Sequence, residues 1–192
     1  MTLSRQHQII IGLVLIALMI ITRAHHFSTF TNLPSASWAT FFLAGLYLSS
    51  KWTFPALLII AGFIDYFAIT WTGVSSYCVS PAYPLLIPAY GSLWLAGAWY
   101  AKQYQFTLRT LVPLSIALTM SIALCTLISS GGFYFFSGRY AEPTFIELGH
   151  RFVQYFPSYL ANGVFHISIA AICHSLIISL NKSTHTPSNE SI

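Results

Sequence analysis

The chain has 192 residues, of which 56% are hydrophobic and only 6% charged, with a formal net charge of +4. A soluble domain carries roughly 25% charged residues, so this composition excludes a water-bathed globular domain and points to an integral membrane protein. The basic residues are scattered singly along the chain, which argues against nucleic-acid binding.

A spanning helix needs about 20 mostly apolar residues, and six stretches stand out as spans of an all-α, polytopic bundle. The first, about residues 8–22, follows a basic start and so resembles a signal peptide. Its following TRA is a weak cleavage site, and the segment is read as a retained helix. The second covers about 37–50 and is short; the third is about 53–71, the fourth about 84–101 and the fifth about 108–129. The sixth, about 152–180, is long enough to tilt or project. Residues 1–182 then form one transmembrane domain and 183–192 a polar tail.

Loop charges set the orientation. With the N-terminus inside, the cytoplasmic set holds Arg5, Lys51, Lys102, Arg109 and Lys182, and the outer set Arg23, Arg139 and Arg151. Five against three favours an N-in, C-in protein. Three outer loops follow: one with His25 and His26, one with Cys78, and one opening at Gly131 and Gly132 as GGFYFFSGRYAEP and ending at Arg151. The aromatic run of the third would lie on the interface or over a pocket.

Few residues can carry chemistry. Asp65 is the only acid inside a predicted span. At 1.5 Å per helical residue it lies ~21 Å from the inner end marked by Lys51. An ionisable group at that depth is costly and is normally paired or functional. It is either half of a structural ion pair, a helix cap, or an acceptor facing a cavity open to the outside. Arg151, a planar five-donor cation, suits Asp65, ligand amide or phosphate oxygens, or lipid headgroups. Tyr155, Tyr159, Asn162, His166 and Cys173 share one face of the sixth helix, and such a stripe faces protein or a wet cavity.

Adjacent His25 and His26 cannot share a helical face as zinc ligands do, and no HExxH, CxxC or carboxylate cluster suggests a structural metal. No GxxxxGK[ST] loop is present, so this chain cannot drive transport with an ATPase of its own. Three cysteines is an odd number. Cys125 and Cys173 fall in spans, where a thiol is usually an apolar filler. Cys78 is in an outer loop among Trp71, Tyr77, Tyr83 and Tyr90. It is an intermolecular disulfide partner, an incidental thiol, or a soft ligand to a transition metal whose other donors come from a macrocycle.

A six-helix protein with an outer cysteine before AYP, in SSYCVSPAYP, resembles the BtuM family. These are solitary cobalamin-specific S-components of energy-coupling factor (ECF) transporters in Gram-negative bacteria. The resemblance covers nearly the whole length in helix count and loop layout, and the cysteine is its one specific feature. It implies vitamin B12 (cobalamin) as ligand, Cys78 as axial ligand to its cobalt, and Asp65, Tyr83 and Arg151 on the corrin or its nucleotide tail. The loops at about 23–36, 73–82 and 131–150 would cover the ligand. It also implies the inner membrane as location, a periplasm-facing site, an ECF-type coupling protein with ATPases as partner, and removal of cyanide from cyanocobalamin through Cys78. Such proteins often carry small residues four apart on the first helix; here Gly12 and Ala17 are five apart and no AxxxA occurs. Two rival readings use the same residues. One is a membrane thiol or redox enzyme with Cys78 as nucleophile and His25, His26 or His150 as base; the other is a non-catalytic assembly subunit.

Overall fold

The computed structural model describes residues 3–23, 35–71, 76 and 79–184, with side chains as far as Ser179. Cys78, His25, His26 and Tyr77 lie outside the described residues, as do most of the 23–36 loop and half of the 73–82 loop expected to cover a ligand.

Among the described residues there are seven α-helices: α1 Arg5–Arg23, α2 Ser37–Tyr47, α3 Thr53–Trp71, α4 Leu86–Gln103, α5 Leu111–Thr126, α6 Gly132–Phe136 and α7 Phe145–Thr184. Every predicted span is helical, and the chain is an all-α membrane protein. Four helical runs are long and apolar enough to cross a bilayer: α1, α3, the continuous run Leu108–Phe136, and α7.

The remaining two, α2 and α4, form the centre instead. α2 has only 11 residues, eight of them buried. It is apolar all round, as a helix enclosed on every side must be. It packs chiefly on α4 through two glycines. A Cβ at Gly45 would run into the backbone carbonyl of Trp94, and one at Gly97 into that of Phe42. The contact is reciprocal, backbone against backbone. Without a hydrophobic drive between helices in lipid, this close approach is how dispersion contacts hold them together. α1 and α3 flank the pair on one side, α5 and α7 on the other. Their outward faces expose Ile9, Leu13, Phe63, Ile116 and Ile172, as lipid-facing helices do.

Prolines mark the helix starts. Pro55, Pro88 and Pro113 are each the third residue of α3, α4 and α5, where a missing N–H costs no helical bond. Pro157 is the exception, inside α7, where it leaves the Val153 carbonyl without its usual donor.

Two differences from the sequence reading concern the third outer loop. Residues Gly132–Phe136 continue the fifth span as helix, after a π-helical turn over Leu127–Gly131. The aromatic run GGFYFF is therefore wall, not loop. α7 begins at Phe145, not near 152, so little of the expected loop remains. Leucine and phenylalanine are good enough helix formers to carry a helix past glycines when tertiary packing supports it. Here Gly132 abuts Leu85 so closely that a Cβ would collide.

Gly45→Ala and Gly97→Ala should each cost about 1–3 kcal/mol, the usual penalty of overpacking. Gly62, on α3 with nothing near its Cβ position, is the control. Gly62→Ala should be neutral or stabilising by up to about 1 kcal/mol through helix propensity. Melting temperatures in one detergent check all three.

Candidate functional site

One end of the bundle is hollow. A cavity of about 480 Å³ opens there, between the last turns of α1, α3 and α5–α6 and the first turns of α2, α4 and α7. Its wall includes Asp65, Tyr83 and Arg151, the three described residues that the family resemblance places on the ligand, together with Val79, which follows Cys78.

Its floor is a charged network. Arg23, the last residue of α1, donates from Nε to Asp65 Oδ1 and from Nη2 to Asp65 Oδ2, both at 2.7 Å. Its Nη1 donates to Ser37 Oγ and to the Tyr90 hydroxyl, each at 3.0 Å. The Tyr83 hydroxyl adds a third bond to the Asp65 carboxylate at 2.8 Å. Arginine's planar fork matches a carboxylate edge on, which is the strong geometry for such a pair. Arg23 is only 3% exposed. Buried this far, the two charges are tolerable because each is met by the other and by hydroxyls.

The core sets this geometry. Tyr90 stacks on Phe41 with ring centroids 4.5 Å apart, and Phe41 meets Phe54 edge on. That aromatic column holds the Tyr90 hydroxyl under the guanidinium. At the entry to α2, Thr22 Oγ1 accepts from the Ala36 N–H at 3.0 Å and donates to the Leu18 carbonyl at 2.8 Å. α1 is thereby pinned beside Ser37. Partial burial, reinforced by the Asp65 carboxylate, holds the Tyr83 phenol well above its ordinary range. It remains a neutral hydrogen-bond donor through the physiological range.

The opposite wall carries Arg151 on a separate footing. It does not reach Asp65. Its Nε lies 3.0 Å from Glu147 Oε1, one turn back along α7. Its guanidinium sits over the rings of Tyr134 and Tyr140, 5.2 and 4.9 Å from their centroids. Two aromatic faces orient the cation without neutralising it, and the partly exposed Glu147 partner does so weakly. The cavity therefore has a charge-balanced floor and a cationic wall lined with tyrosine.

The α7 stripe divides. Tyr155 and Tyr159 line the cavity, and Tyr159 packs on Trp38. Asn162 donates to the Ser35 carbonyl at 2.9 Å, and His166 Nδ1 to the Asn162 carbonyl at 3.0 Å, so both serve packing. Cys173 is exposed and does not line this cavity. Cys125 is buried in the core.

Sequence reading missed Arg23 as a site residue and counted it among the loop charges. The signal was available: an acid buried in one span needs a cation at matching depth, and Arg23 directly ends an apolar run. Tyr134 and Tyr140 were hidden inside the segment read as a loop.

Asp65→Leu should cost about 3–5 kcal/mol by stranding Arg23, the usual effect of removing one partner of a buried pair. The double variant Arg23→Met with Asp65→Leu should recover much of that loss, since no charge is left unmet. A melting-temperature cycle over the two single variants and the double variant measures both effects.

No protein-family profile matches this chain, and a search of curated proteins recovers no relative.

Proposed function

We propose that this chain is a substrate-binding membrane subunit for cobalamin uptake, taking the corrin from the outer side with Cys78 as axial cobalt ligand. The observation that carries this reading is a convergence. Asp65, Tyr83 and Arg151 are spread over 86 positions, yet they line one open cavity with the residue that follows Cys78.

The chemistry of that cavity suits a flat, amide-bearing ligand. Trp38, Phe133, Tyr134 and Tyr155 offer aromatic faces, Tyr83 a neutral donor, and Arg151 a cation for a phosphodiester or amide oxygens. Asp65 already accepts hydrogen bonds from Arg23 and Tyr83 within the protein. Its first role in this reading is to aim Arg23 and Tyr83. A cavity of about 480 Å³ takes part of a corrin, the remainder lying toward the outer loops.

Thiolate is a soft, strongly donating ligand. Bound to cobalt in place of the benzimidazole base, it would weaken the cyanide bond on the opposite face. Decyanation is the secondary activity we propose. The cyanide leaves with the Co–C electron pair, and one electron from an external thiol-class reductant takes cobalt from the +3 to the +2 state. Six spans, N-in/C-in orientation in a bacterial inner membrane, and an ECF-type coupling partner with ATPases complete the proposal.

The test is an absorption spectrum of detergent-purified protein after incubation with cyanocobalamin. Wild type should retain corrin with bands displaced from those of the free vitamin, and Cys78→Ala should lose the displacement. Arg151→Ala should retain less corrin without altering the bands of what is bound. A wild-type protein that retains no corrin would overturn the reading.

A further inference from the structure

We infer that a second site lies at the opposite end of the bundle and holds an acyl chain of an anionic phospholipid, its headgroup against Lys102 and Arg109. This inference does not depend on what the first cavity binds.

A cavity of about 270 Å³ opens between α2, α4, α5, α7 and the connection after α4. Leu43, Leu46, Leu114, Ile167, Ala170 and Ala171 supply an aliphatic part of its wall. Its size is near the lower end of the roughly 300–1,000 Å³ typical of small-molecule pockets. It suits a segment of hydrocarbon chain, not an entire lipid. Apart from the polar residues of the connection itself, such as Gln105 and Thr107, its main polar feature is one patch: the Tyr104 hydroxyl and His174 Nε2 are 2.8 Å apart, with the Tyr47 ring against His174. Hydroxyl and imidazole there match the ester oxygens at the head of an acyl chain.

The mouth has the composition of a membrane interface. Phe106 and Leu108 line the cavity yet are 50% and 84% exposed. Apolar side chains so displayed beside cations are the pattern of the headgroup boundary, where stems and rings lie in hydrocarbon and charges in water. Lys102 and Arg109, both exposed, bracket the connection whose residues form the rim.

Charge complementarity selects the headgroup. Arg5 and Lys51 lie at this same end, where Gln8 Oε1 accepts from the Ser49 N–H at 3.1 Å and ties the start of α1 to the end of α2. All three acids among the described residues, Asp65, Glu142 and Glu147, are at the other end. A basic rim with no acid near it attracts anionic headgroups over zwitterionic ones.

The test uses the full chain in phosphatidylcholine nanodiscs carrying a trace of phosphatidylglycerol with a diazirine in one acyl chain. Irradiation should label peptides covering residues 104–114 and 167–175. Ala170→Trp fills the cavity and should abolish that labelling, while labelling of the exposed Leu13 face of α1 persists. Should Ala170→Trp not fold, Ala171→Phe makes the same test. Replacing Lys102 and Arg109 by Gln should remove the preference for phosphatidylglycerol over a phosphatidylcholine probe of the same chain. Uniform labelling of α1 and the cavity peptides, unchanged labelling in a folded cavity-filling variant, or equal capture of both wild-type probes would each overturn the assignment.

Discussion

A carboxylate enclosed by a bundle that faces lipid must be met by a cation, and that requirement organises one end of this molecule. Asp65 meets it with Arg23, from another helix and 42 positions away. The guanidinium has donors left over, and these reach Ser37 at the start of α2 and Tyr90 on α4. One ion pair therefore fixes where four helices converge. The cavity above it is what remains when their ends are held at this spacing and Arg151 closes the far side on its two tyrosines. Replacing the pair by hydrocarbon would keep the bundle and lose the polar floor.

The two arginines at the cavity show how context decides what a charge does. Arg23 is nearly sealed and is held by Asp65, Ser37 and Tyr90, so it acts as a structural joint. Arg151 is only partly covered, and its strongest neighbours are ring faces and a half-exposed glutamate. It keeps its positive field directed into the hollow. The same residue type gives mechanical connection on one wall and a cationic face to the hollow on the other.

Much of this was legible in the chain. Hydrophobic runs located every long helix, because a lipid-facing helix must advertise itself in composition, although the fifth runs on to Phe136 and the sixth begins at Phe145. Asp65 and Arg151 stood out because charges are scarce. What escaped notice had physical causes. The second span reads as short because α2 is enclosed by other helices, and enclosure relaxes the demand for a bilayer-long apolar run. Gly131 and Gly132 read as a loop opening, whereas they are the small residues that let a helix pass close to Leu85 and Leu148. The pairing of Asp65 with Arg23 in place of Arg151 depends on helix neighbours, which a list of spans does not contain.

The short central helix has an electrical consequence. α2 rises only ~16 Å over its 11 residues, about half of the ~30 Å hydrocarbon thickness of a bilayer. Trp38 near its start borders one cavity, and Tyr47 at its end borders the other. Between them Phe41, Phe42, Met19, Leu93 and Ile122 are sealed from solvent. This septum is the insulator. Wherever water or headgroups fill the hollows on either side, the membrane voltage falls across the septum and not across the full bilayer, so the local field is steeper. The balanced Arg23–Asp65 pair stands at its edge with no net charge for that field to pull, and a lone carboxylate at the same place would feel it in full.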